Sequence, residues 1–215
     1  MKRVLLITGG SRGIGAATAL LAAQNGWAVA VNYASNQAAA EQVVQTIRHA
    51  GGEAIAVQGD VADEAQILRM FATVDQELGR VTGLVNNAGV VDVTARVEDM
   101  SWQRLERMMR INVLGTIACA REAILRMSPR HGGQGGVIVN LSSVAARLGA
   151  PGQYVDYAAS KGAIDTFTVG LSKELAADGL EILVGVRAAQ RELETVLARE
   201  CAVASAGAAA TLGEH

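Results

Sequence analysis

The chain has 215 residues, half of them apolar and 19% charged, enough to bury a core and too apolar to remain disordered. Its formal net charge is −2 with no basic run, and aromatics make up only 3%, which excludes nucleic acid as the main partner. No apolar stretch reaches the length of a membrane span, and Cys119 and Cys201 share neither a disulfide framework nor a metal-ligand spacing, so a reducing cytoplasm is the expected setting.

Met1-Lys2-Arg3 followed by Val4 to Ile7 is too short for a signal peptide and runs straight into a glycine-rich turn. Residues 4–7 read as a buried strand and 13–25 as an Ala/Leu-rich helix closed by Gly26. A second strand is expected over 28–32. Residues 37–50 form a helix with Val43, Val44 and Ile47 on one face, ended by Gly51-Gly52, and a third strand covers 54–57. Asp63 with Gln66 three residues on is a capping-box pattern, and Ile67, Phe71, Val74 and Leu78 form the stripe of the helix that follows.

Leu84-Val85 leads into Asn86, the end of a fourth strand. Ser101 caps a long helix running to about Met127, residues 137–141 form a fifth strand, 154–178 a helix and 181–186 a sixth strand. This alternation predicts an α/β fold of the Rossmann type: a doubly wound parallel sheet with helices on both faces, joined by right-handed crossovers. Residues 1–187 read as one dinucleotide-binding and catalytic domain, and 188–215 as a divergent tail.

The turn Thr8-Gly9-Gly10-Ser11-Arg12-Gly13-Ile14-Gly15 lies between the first strand and the first helix. Gly9 can take a backbone angle that other residues resist, Gly13 lets the main chain approach a pyrophosphate, and Gly15 lets helix and strand pack closely. The helix N-terminus offers unpaired amides to phosphate. Tyr157 and Lys161, four apart on a helix, share a face.

The spacing G-x-x-x-G-x-G resembles the fingerprint of the short-chain dehydrogenase/reductase family. Asn86-Asn87-Ala88-Gly89 stands where that family has its N-N-A-G motif, and Tyr157-Ala158-Ala159-Ser160-Lys161 supplies its Y-x-x-x-K. The likeness covers roughly residues 1–180 and is nearest to the 3-oxoacyl-carrier-protein reductase and glucose 1-dehydrogenase type. It implies an NADP(H)-dependent oxidoreductase acting on a small carbonyl or alcohol substrate. An NADP(H)-binding protein with little turnover is the alternative.

The resemblance also implies the roles. Tyr157 is the general acid in reduction and base in oxidation, proton transfer of a kind worth about 10²–10⁴ in rate. Lys161 favours the phenolate and holds the cofactor ribose. Ser143 polarises the carbonyl; it is preferred to Ser142 because the family places the second of an S-S pair there. Asn112 anchors a water that relays protons through Lys161.

Cofactor contacts are assigned to Gly9, Ser11, Arg12, Gly13, Ile14, Gly15, Asn32, Ser35, Asp60, Val61, Asn87, Ala88 and Gly89, besides Tyr157 and Lys161. The stretch from Asn32 to Asn36 lacks the acid that pairs with a ribose 2′-hydroxyl in NAD-preferring members, and Arg12 can meet a 2′-phosphate. NADP(H) is therefore expected, with NAD(H) use left open and no metal required.

The segment between Ser143 and Tyr157 is one residue longer than in many relatives, which a loop bulge would absorb. Beyond residue 186 the likeness ends: Ala188-Ala189 stands where a relative has Pro-Gly, a helix is expected over 191–200 from Leu193, Val196, Leu197 and Cys201, and the family's last strand is not expected. Family members are commonly tetramers; here a dimer through the two long helices is expected, their small residues Gly115, Ala118, Gly162 and Ala163 permitting close packing.

Overall fold

In the computed structural model, which describes residues 2–185, six parallel strands form one sheet in the order β3-β2-β1-β4-β5-β6. The strands are β1 (Val4–Ile7), β2 (Ala28–Tyr33), β3 (Ala54–Gln58), β4 (Gly83–Asn86), β5 (Gly136–Leu141) and β6 (Leu180–Gly185). The helices are α1 (Gly13–Gln24), α2 (Gln37–His49), α3 (Glu64–Glu77), α4 (Trp102–Met109), α5 (Gly115–Met127), α6 (Ala145–Leu148) and α7 (Val155–Glu174). The tail expected at 188–215, with its helix and its missing strand, lies outside the described residues.

The short strands are mostly apolar because both faces of the sheet are covered, with Asn32, Gln58, Asn86, Asn140 and Glu181 as the polar exceptions. In β1, Val4 and Leu6 point into a core with Phe71 and Val74 of α3, Ala120 and Ala123 of α5 and Leu171 of α7. Leu5 and Ile7 point the other way, against Ala19 and Ala22 of α1 and Val44 and Ile47 of α2. Each large side chain that becomes fully buried contributes roughly 1.5–3 kcal/mol.

The chain leaves β3 on one side of β1 and returns as β4 on the other. The strand order thus reverses between β1 and β4, and a crevice opens past their carboxyl ends, where open α/β sheets bind their ligands.

Local signals set the helix starts. The Asp63 carboxylate accepts from the Gln66 backbone N–H at 3.2 Å, and the Gln66 side chain reaches back both to Asp63 and to the Asp60 N–H. Ser101 caps α4 through the Arg104 N–H. The long helix expected after Ser101 is interrupted: residues Arg110–Leu114 widen into a π turn between α4 and α5, a feature common at functional sites.

Between Ser143 and Tyr157 stand the short helix α6, closed by Gly149 at φ +75°, and a turn in which Ala150 sits at φ +47°. None of the helices among the described residues is long and apolar enough to cross a membrane.

Candidate active site

Three turns at the carboxyl ends of β1, β2 and β3 are fastened by one buried amide. Asn32 Oδ1 accepts from the Gly9 N–H at 3.0 Å, and its Nδ2 donates to the carbonyls of Gly59 and Val57. Asn87 does the same between β1 and β4, its Nδ2 donating to Thr8 O at 2.8 Å and Gly9 O at 2.9 Å. The Thr8 hydroxyl accepts from the Asn87 and Ala88 amides. The glycine turn is therefore held from both sides.

Gly9 and Gly13 take φ of +60° and +55°. A Cβ on Gly15 would stand 2.6 Å from Asn87 Nδ2 and 2.7 Å from Gly9 O, so the close packing expected there occurs against the turn and the N-N-A-G segment. A Cβ on Gly13 would meet nothing within 4 Å, and no side chain caps the first amides of α1.

These groups open onto a polar cavity of about 770 Å³. Twelve of the expected cofactor residues line it: Gly9, Ser11, Arg12, Gly13, Ile14, Asn32, Ser35, Asp60, Val61, Asn87, Ala88 and Gly89. Gly15 lies behind them. Arg12 is exposed, and its side chain makes no hydrogen bond or ion pair with a described residue. Sequence reasoning missed Tyr33, Gly59, Arg107 and Ile111 in this wall. The last two are four apart on the α4–π segment, a spacing that marks a common face once one member is placed.

A second cavity of about 640 Å³ adjoins it, sharing Gly13, Ile14, Asn87, Gly89 and Val90. Its wall is mostly aliphatic, with Leu21, Val85, Val91, Val139 and Leu141, and it contains Ser142, Tyr157 and Lys161. Tyr157 and Lys161 are thus brought onto one wall, as their spacing on α7 predicts.

The Lys161 ammonium donates to Leu141 O at 2.6 Å and lies 5.8 Å from the Tyr157 ring centroid. Burial lowers its pKa from 10.5 to about 8, with the nearby Asp165 carboxylate acting in the opposite direction. Tyr154 packs edge-on against Tyr157, with ring centroids 6.0 Å apart.

Asn112 is fully buried in the π turn. Its Oδ1 accepts from the Val90 N–H at 2.8 Å while its Nδ2 donates to Val90 O at 2.9 Å and Ser160 Oγ at 3.1 Å. Its amide thus pins the segment that leaves the N-N-A-G motif. It also stands close to Lys161: a Cβ on Gly89 would be 3.4 Å from Asn112 Oδ1 and 3.7 Å from Lys161 Nζ.

The two serines part company. Ser142 lines the apolar cavity, donates to Lys161 O at 3.5 Å and is tied to β6 through Gly185 O. Ser143 is half-buried at the start of α6, where its Oγ accepts from the Ala145 N–H at 3.2 Å. It is not among the described residues lining either cavity.

A buried polar ladder that sequence reasoning passed over runs beneath the site. Asn86 and Asn140, paired across β4 and β5, are joined at 2.9 Å, Asn86 donates to Thr116 O, and Asn140 donates to Thr168 Oγ1. Two asparagines inside apolar strands were the available signal. No cluster of His, Cys, Asp and Glu among the described residues could hold a metal ion. Cys119 is fully buried, and that burial pushes its thiol up to about 12.

The family pattern described as short chain dehydrogenase matches residues 3–190. The uncharacterized oxidoreductase YgfF of Escherichia coli K12 is 54% identical over 179 residues, covering 83% of this chain and 72% of that protein. A 3-oxoacyl-[acyl-carrier-protein] reductase of Synechocystis is 39% identical over 182 residues, covering 84% of this chain and 71% of its own length. Among solved structures, a short-chain dehydrogenase/reductase mutant of Serratia marcescens superposes with a TM-score of 0.78 at 33% identity, covering 85% of this chain and 72% of the other. A blue fluorescent protein from a metagenomic library, solved in complex with NADPH, gives a TM-score of 0.78 at 35% identity over the same shares. The chain therefore belongs to the short-chain dehydrogenase family, and is an oxidoreductase of that family.

Proposed function

We propose that this chain interconverts a small carbonyl and its alcohol using NADP(H), with Tyr157 as the proton donor and acceptor. The observation that carries the reading is the meeting of two walls in one cleft: Tyr157 and Lys161 on α7 face Gly13, Ile14, Asn87 and Gly89 from the glycine turn and the end of β4.

The residues fit a dinucleotide. The uncapped amides at the start of α1 and the open space before Gly13 suit a pyrophosphate. Asp60, Val61 and Ile111 offer a place for adenine, and Asn87 to Gly89 for the inner ribose. Arg12 shares its cavity with residues 32–36, which include no acid, and this favours a 2′-phosphate over a bare hydroxyl. When bound, NADP(H) supplies or accepts the hydride.

The chain's own groups do the rest. In reduction the Tyr157 hydroxyl gives its proton to the carbonyl oxygen; in oxidation its phenolate takes one. Lys161, beside the ring on the same wall, would hold ribose hydroxyls. Ser143 accepts from Ala145 N–H, which leaves its hydroxyl proton free to donate to the same oxygen as charge develops there. Asn112 holds the floor of the cleft through Val90.

The test is a fluorescence titration with NADPH beside a steady-state assay over a panel of carbonyls. Binding with NADPH consumption on at least one carbonyl is expected. Binding with no turnover across the panel would replace this reading by that of a cofactor-binding protein.

We also propose that the chain dimerises through α5 and α7, which expose Ile117 and Val169, with Leu114 exposed just before α5. Gly115 does not serve that contact: a Cβ there would stand 2.7 Å from Val61 O, so its small size is used within the chain. Gly162 is open, with nothing within 4 Å of an added Cβ. Light scattering should give a dimer and Ile117→Arg a monomer; a tetramer in the parent would show a second interface.

A further inference from the structure

Next to Tyr157 is a buried ion pair that the reaction does not call for. Asp156, in the first turn of α7, is held by Arg104 of α4. Arg104 Nε donates to Oδ2 at 2.7 Å and Nη2 to Oδ1 at 3.1 Å, and the two side chains are only 8% and 3% exposed. The remaining Nη1 of the same guanidinium donates to Val93 O at 2.7 Å. The hydrogen bonds from the Arg104 guanidinium hold the Asp156 carboxyl below the usual carboxylate range.

Eight residues on, Asn112 repeats the arrangement. It takes the N–H and carbonyl of Val90 and reaches Ser160 of α7. Each grip joins the same three segments: the α4–α5 rod, the chain after β4, and α7. Asp156 and Ser160 are one turn apart on the side of α7 that meets the rod. Tyr157 and Lys161, each the next residue, lie one turn apart on the side that meets the cleft.

We infer that Arg104 is a positioning residue: through Asp156 and the Val93 carbonyl it sets Tyr157 against the cleft wall formed by residues 89–91. A planar fork can satisfy a carboxylate and a carbonyl together, and a lysine ammonium cannot match that geometry. The role rests on the reading of Tyr157 as proton donor. Misplacing a reacting group by about an ångström costs up to roughly a hundredfold in rate.

Truncating either partner alone leaves a buried charge unpaired, whereas an apolar pair of similar volume is often tolerated. The test is therefore the double variant Arg104→Met/Asp156→Leu, with Arg104→Lys beside it. Melting close to the parent is expected for the double variant, with NADPH affinity within a few fold, kcat down roughly ten- to a hundredfold, and the Tyr157 ring displaced from Lys161 in a crystal structure. Arg104→Lys should fall between.

A double variant with parental melting, parental kcat and Tyr157 in its parental place overturns the inference. If the double variant does not fold, an Arg104→Lys protein with Tyr157 and kcat unchanged overturns it as well. Full activity in Tyr157→Phe would remove the proton-donor reading instead. The crystallographic position of Tyr157 separates the two failures, since it is read without turnover.

Discussion

The two cavities at the carboxyl edge of the sheet are neighbours built on opposite plans. The polar one is lined by turns that follow β1, β2 and β3, and the side chains that shape it, Thr8, Asn32 and Asn87, spend their hydrogen bonds on backbone groups. The apolar one gathers Val85, Val139, Ser142, Tyr157 and Gly185 from widely separated elements, and its reactive groups stand among aliphatic side chains. The first can be rigid before a ligand arrives, because Thr8, Asn32 and Asn87 already hold its turns in place. The second keeps Lys161 in surroundings that disfavour its charge. On the proposed function, recognition and chemistry are divided between a backbone cradle and a largely aliphatic wall.

Four experiments break or sharpen that division. The largest effect is expected on the chemical side: Tyr157→Phe should lose about 10²–10⁴ in kcat while NADPH binding, measured by fluorescence, changes only a few fold. Near-normal turnover would remove Tyr157 from the acid/base role, and a large loss of binding would show that the two cavities are not separable.

Next come the serines. Ser143→Ala should cost roughly 10²–10³ in kcat if its hydroxyl meets the developing charge, and Ser142→Ala far less. The reverse order, measured with the same carbonyl, would move the role to Ser142, the serine that lines the cavity.

On the recognition side, Arg12→Ala should weaken NADPH by roughly ten- to a hundredfold, the worth of a charge-assisted contact to phosphate, and leave NADH nearly unchanged. Equal losses for both would reduce Arg12 to a support of the turn.

The smallest effect is on stability. The folded chain releases the Lys161 proton as pH rises through about 8, while the unfolded chain keeps it to about 10.5. The unfolded state therefore binds more protons across that window, and stability without ligand should rise with pH there. Urea unfolding at several pH values should show the rise in the parent and not in Lys161→Met. The same slope in both would assign the proton to another group.

The order of elements, the glycine turn and the Tyr157–Lys161 pair were legible because each is written in contiguous residues with its own period or spacing. Asp63 and Ser101 cap their helices as their types predict, and Gly9 and Gly13 take the positive φ that calls for glycine. Most boundaries moved by a residue or two, as in β2, which runs on to Tyr33, but the helix expected to residue 178 ends at Glu174.

Other features could not be read along the chain because their partners are distant in it. Nothing around Asn112 says that the helix widens there, or that its amide is taken by Val90. Nothing near Arg104 says that it meets Asp156, 52 residues away. Gly115 looked like a surface spacer and packs against Val61 O.

Sequence by itself thus determined the alternating α/β pattern, the parallel sheet and the chemical types present at the site, since propensity, capping and periodicity act over a few residues. Tertiary structure alone decided which of those groups share a wall, which asparagines are consumed in holding turns, and which serine lines the apolar cavity. A side chain's direction and its hydrogen-bond partners depend on elements that meet only after the crossovers have folded onto the sheet.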